Sequence, residues 1–196
     1  ILVLGGSQGA HSINVAMVEA LDLLSDRKDL LHITHQTGDA DYKNVKKQYA
    51  EKKFSADVMS FITDMPVRYR LASLVICRSG ATTLAEITAA GRVSVLVPFP
   101  YAANNHQERN ARIIETANAG EVILDEEISG ERLAKSIKKA MDEPEKLQRM
   151  EANSYRLGSR DATEKVRKIC LELMGDARKV SEDNNKSKEK HVLSCF

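Results

Sequence analysis

A chain of 196 residues with 42% hydrophobic and 29% charged composition is long enough to bury a full core as one soluble domain. Its net charge of +1 provides no basic field for nucleic acid and none for a membrane surface. The three cysteines, Cys77, Cys170 and Cys195, lie far apart with no CxxC pair, which argues against a zinc site or a disulfide framework and fits a reducing, cytoplasmic setting.

Ile1-Leu2-Val3-Leu4 is a β-type run with no initiator Met and no lead-in, and reads as the start of a fragment or of the second half of a longer protein. No apolar run approaches the roughly 20 residues of a bilayer span, and no signal peptide is present. Gly5-Gly6-Ser7-Gln8-Gly9-Ala10 follows the first strand. Ile13, Met17, Ala20, Leu21 and Leu24 then recur at helical spacing, so the glycine loop joins a strand to a helix N-terminus, a place suited to phosphate. It is neither G-x-G-x-x-G nor a P-loop, which disfavours the usual NAD and ATP sites; a plain structural turn is the competing reading.

Leu30 to His35 is a second strand, and a helix runs from Gly38-Asp39 to about Lys53. Asp39-Ala40-Asp41 imitates a metal-holding D-x-D, but acids in a first helical turn are ordinary dipole and cap residues; His32 and His35 read as structural. Asp57 to Phe61 is a third strand. Pro66, with Thr63 or Asp64 as cap, opens a short helix over Val67 to Ala72, and Ile62 would lie beside the Ser79 loop if the two strands are neighbours. Leu74-Val75-Ile76 is the fourth strand and leads through Cys77-Arg78-Ser79-Gly80-Ala81-Thr82-Thr83 into a helix from Leu84. Ser94 to Pro100 is a fifth strand, and the polar loop Tyr101 to Gln107 precedes a helix from about Glu108 to Ala119. Glu121 to Leu124 is the sixth strand. Helices over about Glu131–Met141, Pro144–Leu157 and Asp161–Met174 finish the fold, the last with a capping box and a Gly175 stop. From Asp176 onward the composition predicts a charged, disordered tail.

Repeated strand–helix–strand spacing predicts an α/β fold, a Rossmann-like doubly wound parallel sheet. Four loops at its carboxyl edge then carry the unusual residues: Gly5 to Ala10, Ile62 to Met65, Arg78 to Glu86 and Asn104 to Gln107. The loop before Leu84 offers free N–H groups and hydroxyls to an anion, and Glu86 offers a carboxylate to a diol such as ribose. Thr83-x-x-Glu86 equally fits a capping box in which Glu86 satisfies only its own helix. The amides around His106 supply donors and acceptors for sugar hydroxyls. An anion cradle, a diol acceptor and an amide cluster on one sheet edge match a nucleotide sugar.

Gly5 to Ala10, Phe61-Ile62-x-Asp64-Met65, Cys77 to Ala81 through Glu86, Pro98-Phe99 and His106-Gln107-x-x-Asn110-Ala111 resemble, in order, the C-terminal domain of the MurG family. These bacterial GT-B glycosyltransferases add N-acetylglucosamine from UDP-GlcNAc to undecaprenyl-pyrophosphoryl-MurNAc-pentapeptide, making lipid II. The resemblance implies a UDP-GlcNAc-binding domain over 1–175 as the C-terminal half of a GT-B fold, a tail over 176–196, and an absent N-terminal acceptor domain. It implies Gly6, Ser7 and Gln8 with their amides for phosphate, and the Ile62 backbone for uracil. Ala81, Thr82, Thr83, Leu84 and Ala85 would wrap the nucleotide beside Ser79 and Gly80, with Glu86 on the ribose hydroxyls. Gln107 would read the sugar, and Arg78 would lie against the uracil or position the loop. No metal or other cofactor and no nucleic acid is implied. The lipid-linked acceptor, the catalytic base and a peripheral contact with the cytoplasmic face of the membrane would belong to the absent domain, so the isolated chain should turn over little. A UDP-sugar-binding subunit acting beside a separate membrane partner is the alternative.

Overall fold

A computed structural model describes residues 1–6 and 9–174. The chain divides into two compact units, Ile1–Gly158 and Ser159–Phe196. Within the first, six strands lie at Leu2–Leu4 (β1), His32–Gln36 (β2), Ser55–Met59 (β3), Leu74–Cys77 (β4), Val93–Leu96 (β5) and Gly120–Val122 (β6). The helices are His11–Leu23 (α1), Asp39–Glu51 (α2), Met65–Leu71 (α3), Ala81–Ala90 (α4), His106–Thr116 (α5), Gly130–Asp142 (α6) and Pro144–Leu157 (α7).

The strands form one parallel sheet in the order β3-β2-β1-β4-β5-β6, the doubly wound arrangement expected from the alternation of elements. Leu2 pairs with Thr34 on one side and Val75 on the other, which puts β1 and β4 at the centre, where the strand order reverses. Because β2 and β1 stand between β3 and β4, the condition under which neighbouring strands would set Ile62 beside the Ser79 loop is not met. Ile62 nevertheless reaches the same hollow, as described below.

The central strands are near-continuous apolar runs because both faces are covered. Successive residues alternate between two cores. Val3, Ile76 and Val95 pack with Ile13, Met17 and Leu21 of α1 and Leu133 of α6. Leu2, Leu4, Val75 and Cys77 pack on the other face with Tyr69 of α3, Ile87 of α4 and Ile114 of α5. Burying each such Leu or Ile contributes about 1.5–3 kcal/mol, which locks the strand register and, through it, the positions of the loops leaving the carboxyl edge.

Element boundaries differ from the sequence reading chiefly where side-chain pattern is silent about backbone. β5 stops at Leu96, ahead of Pro98, and β3 stops at Met59. α4 ends at Gly91, whose left-handed φ of 65° lets the Gly91 and Arg92 N–H groups close back on Thr88 and Ile87. Pro144–Leu157 is a helix with the bounds expected. A helix over 162–174 lies in the second unit, where Ser159 donates to Asp161 and Arg167 pairs with Glu164. Every described residue of 159–174 is exposed, and the first unit ends at Gly158. The Gly175 stop, the charged tail and Cys195 lie outside the described residues.

Candidate functional site

The β1–α1 and β4–α4 loops leave the sheet side by side at the point of strand reversal. Gly6 and Gly9 both take left-handed φ angles, 78° and 81°, and Gly9 N–H closes a turn on the Gly6 carbonyl at 3.1 Å. A Cβ on Gly9 would collide with the Thr37 carbonyl, so both its conformation and its close approach require glycine. Ser7 and Gln8 lie outside the described residues. The caps of the two helices that follow, Ala10 for α1 and Gly80 for α4, contribute no side-chain cap hydrogen bond. Both helices therefore present uncapped N-terminal N–H groups at the same edge, with the positive end of each dipole.

The hollow between them has a volume of about 700 Å³. It is lined by Gly6, Ile62, Arg78, Gly80, Thr83, Glu86 and Gln107, seven of the residues expected from sequence, together with His11, Ser12, Gln36, Tyr69 and Asp125. Ser79, Ala81, Thr82, Leu84 and Ala85 do not line it. Ser79 is fully buried and donates to the Gln107 carbonyl at 2.8 Å, and Leu84 belongs to the second core. A larger hollow, about 810 Å³, lies at the opposite edge beside the strand starts Leu74, Val93 and Gly120, away from every β–α loop named above.

Gln36 was not anticipated, yet it ties the site together. Buried at the end of β2, its Nε2 donates to the Gly6 carbonyl at 2.8 Å while its Oε1 accepts the Ile62 N–H at 2.9 Å. This leaves the Ile62 carbonyl as the backbone group available to a ligand. Arg78 is a second tie. Its guanidinium donates to the Val97 and Pro98 carbonyls at 3.1 Å each, to Asp125 at 2.5 Å and to Ser12 Oγ at 3.0 Å, and lies 5.5 Å from the Phe99 ring. Of the two roles considered for Arg78, these contacts are those of a residue that positions loops. Asp125 also accepts from Ser12 at 2.7 Å, so the starts of α1 and α4 and the loops after β5 and β6 share one polar knot.

Glu86 does not form the capping box that its spacing allowed, because α4 begins at Ala81 with Gly80 as its cap and Glu86 sits in the second turn. One of its oxygens accepts from the Tyr69 hydroxyl at 3.0 Å. The other is left for a ligand. Burial, with Cys77 and Glu86 nearby, pushes the Tyr69 phenol far up, so it remains a donor. Burial likewise holds the Cys77 thiol up at about 12, which makes it inert as a nucleophile.

The amide cluster of the β5–α5 loop is largely engaged with itself. Asn104 and Asn105 adopt left-handed φ angles, Asn105 donates to Glu108 at 2.6 Å, and His106 Nδ1 bonds the Ala103 carbonyl at 2.8 Å. Only Gln107 of that group lines the hollow; its Oε1 accepts from Phe99 N–H at 3.0 Å, which leaves its NH2 as the available donor. The D-x-D imitation is also internal: Asp41 is bonded to both His11 and Asn14. Among the described residues no group of three or more His, Cys, Asp or Glu could hold a metal ion.

With this geometry in place, the sequence matches residues 1–168 to the model of the glycosyltransferase family 28 C-terminal domain. The chain belongs to that family. Two curated relatives carry the name UDP-N-acetylglucosamine–N-acetylmuramyl-(pentapeptide) pyrophosphoryl-undecaprenol N-acetylglucosamine transferase. The protein from Myxococcus xanthus is 46% identical over 174 residues, 89% of this chain and 45% of the relative. The one from Thermodesulfovibrio yellowstonii is 49% identical over the same length, 48% of the relative. The chain thus spans about half the length of the curated relatives it matches. The crystal structure of Acinetobacter baumannii MurG superposes with a TM-score of 0.78 at 29% identity, covering 87% of this chain and 49% of that one. The Rossmann-like doubly wound sheet and the family resemblance carried by the loop motifs are both borne out.

Proposed function

We propose that this chain is the donor-binding half of an N-acetylglucosaminyltransferase that moves GlcNAc from UDP-GlcNAc to the lipid-linked acceptor undecaprenyl-pyrophosphoryl-MurNAc-pentapeptide, giving lipid II in peptidoglycan synthesis. The observation that carries the reading is the convergence of Gly6, Ile62, Gly80, Thr83, Glu86 and Gln107 on one hollow at the point of strand reversal. The names of relatives at 46% and 49% identity support the same substrate.

The chemistry of each group suits one part of the donor. Uncapped N–H groups of α1 and α4 bind the diphosphate, the second Glu86 oxygen accepts from the ribose diol, the Ile62 carbonyl meets the base, and the Gln107 NH2 reaches the sugar. In the transfer, an acceptor hydroxyl attacks the anomeric carbon from the face opposite the departing UDP and inverts it. The transition state is oxocarbenium-like, and negative charge grows on the leaving diphosphate, where helix ends stabilise it without a metal. The acceptor site, the base and the contact with the cytoplasmic face of the membrane are assigned to the other half of the full-length enzyme. Among the described residues, no helix is long and apolar enough to cross a membrane.

Calorimetric titration of the chain with UDP-GlcNAc, against UDP-GalNAc, NAD and ATP, tests the reading. Selective binding of UDP-GlcNAc, unchanged by a chelator, is expected; failure to bind any uridine nucleotide overturns it.

A further inference from the structure

His11 is the first residue of α1, directly after the glycine loop, and lines the donor hollow with a side chain that is 78% exposed. It is not a loose surface histidine. Its Nδ1 faces both oxygens of Asp41 at 3.0 Å, and Asp41 is held in turn by Asn14 Nδ2 at 2.8 Å. Asn14 is buried and anchored twice more, donating to the Thr37 carbonyl at 2.9 Å and bonding His35 Nε2 at 3.0 Å through its own oxygen. A carboxylate fixed from below thus orients an imidazole whose Nε2 has no partner among the described residues. The pattern has a functional cost that packing alone does not explain, since it brings a half-buried carboxylate to the edge of an anion cradle.

We propose that His11, held by Asp41, presents a protonated Nε2–H to the diphosphate of the nucleotide sugar and neutralises the charge that grows there as UDP departs. This rests on the donor-site reading above. With Nδ1–H donating to Asp41, the second nitrogen carries a proton only in the imidazolium form, the form that can donate to an anion. The other ionisable groups around it do not compete. His35 of β2 shares the Asn14 bridge but is buried and neutral, and the Arg78–Asp125 pair, joined to α1 through Ser12, is internally compensated. Asp41 itself stays ionised: partial burial raises its carboxyl, but the hydrogen bonds from Asn14 and His11 outweigh this and hold it below the ordinary range. Asp41 is therefore a positioning residue, and His11 a binding residue for the leaving group.

Binding of the donor should then take up a proton from solvent. UDP-GlcNAc suits the test, because its diphosphate diester is fully ionised across the range, and uridine measured in parallel corrects for the uracil N–H at the upper end. At about pH 6, below the ordinary imidazole value of about 6.5, His11→Ala should weaken UDP-GlcNAc binding about five- to tenfold and leave uridine binding unchanged. The wild-type affinity should fall as pH rises to about 8.5, whereas the His11→Ala affinity should stay flat, and proton uptake measured in buffers of different ionisation enthalpy should vanish. His11→Lys, which keeps a cation, should hold its affinity through that range, and Asp41→Asn, which removes the carboxylate that fixes the ring, should weaken UDP-GlcNAc binding at about pH 6 while leaving uridine binding unchanged. Equal UDP-GlcNAc affinity for wild type and His11→Ala at about pH 6, or an equal loss of uridine affinity, overturns the proposal while leaving the donor site standing. If wild type binds no uridine nucleotide, the donor reading itself falls.

Discussion

Replacing Gln36 with Leu removes the clamp between the glycine loop and the Ile62 turn while keeping the volume of a buried side chain. The two bonds it breaks are not equivalent. Gly6 is exposed, so its carbonyl turns to water at little cost, whereas Ile62 is 1% exposed and its N–H is left without an acceptor. An orphaned buried donor costs about 1–3 kcal/mol, so most of the loss comes from one atom. For a compact unit of this size that is a fall of roughly 2–12 °C in Tm. Donor affinity should fall with it, because both the anion loop and the Ile62 carbonyl lose their brace. Gln36→Glu separates the two bonds: it keeps an acceptor for Ile62 but sets a carboxylate oxygen against the Gly6 carbonyl. Such a buried carboxyl titrates above its unfolded value of about 4.3, so the variant should match wild type most closely below that pH and lose stability as pH rises through the folded value. Urea unfolding of both variants, with UDP-GlcNAc titration of the folded fraction, reads these effects. An unfolding midpoint and a donor affinity of Gln36→Leu both equal to wild type would refute the clamp.

Glu86→Ala should weaken uridine nucleotide binding roughly ten- to a hundredfold, since a charged acceptor is lost; unchanged affinity with reduced stability would reduce Glu86 to a partner for Tyr69. Arg78→Lys keeps the charge but cannot span Val97, Pro98, Asp125 and Ser12 with one ammonium, and should cost about 1–3 kcal/mol in chemical denaturation, with donor affinity falling as a consequence. His35 is buried and its imidazole is held down to about 3, by that burial against an opposing pull from Asp41. The unfolded chain, titrating at about 6.5, then binds a proton that the fold refuses, so stability is full above that pH and declines by up to about 1.4 kcal/mol per unit below it; His35→Gln should flatten that slope in unfolding measured at several pH values.

The sheet was legible because periodicity is a property of side chains. Leu2-Val3-Leu4, Leu74-Val75-Ile76 and the glycine loops between strand and helix patterns left little choice of architecture. Strand order was not legible, since nothing local to Ile62 says that two strands separate β3 from β4. The site was half legible for a related reason. Glycines, uncapped helix starts and Glu86 advertise themselves, because their residue types are unusual at a β–α junction. Gln36, Ser12, Asp125 and Tyr69 work through partners 17 to 113 residues away, and no spacing reveals that. Their one shared signal is position: Gln36 and Asp125 are polar residues closing or following strands at the carboxyl edge, where this topology places its ligands. Asn104 and Asn105 show the converse case, polar residues at a β–α junction whose left-handed backbone shapes the turn and of which Asn105 donates its amide to Glu108.

Sorting the polar groups of this edge by what they already bond gives the orientation of the ligand under the donor-site reading. Arg78, Asp125 and Ser12 bond one another, Ser79 bonds the Gln107 carbonyl and Gln36 bonds the Gly6 and Ile62 backbone, so together they make a frame whose geometry is set before anything binds. What the frame leaves available is unequal around the rim. Donors concentrate on the α1 side, in uncapped N–H groups joined by His11 Nε2–H under the proposal above, and across the reversal point at the start of α4. The available acceptors are the second Glu86 oxygen and the Ile62 carbonyl, on the side of α3. A ligand with an anionic middle, a diol and an N–H-bearing base at one end, and neutral hydroxyls at the other fits in only one direction: base by Ile62, ribose by Glu86, diphosphate between the two helix ends, sugar toward Gln107. That direction leaves the anomeric carbon at the far side of the diphosphate from α3, so the attacking hydroxyl must arrive from beyond this frame, which is why a residue of this chain that contacts the leaving group, and not a base, is the contribution to catalysis that its geometry supports.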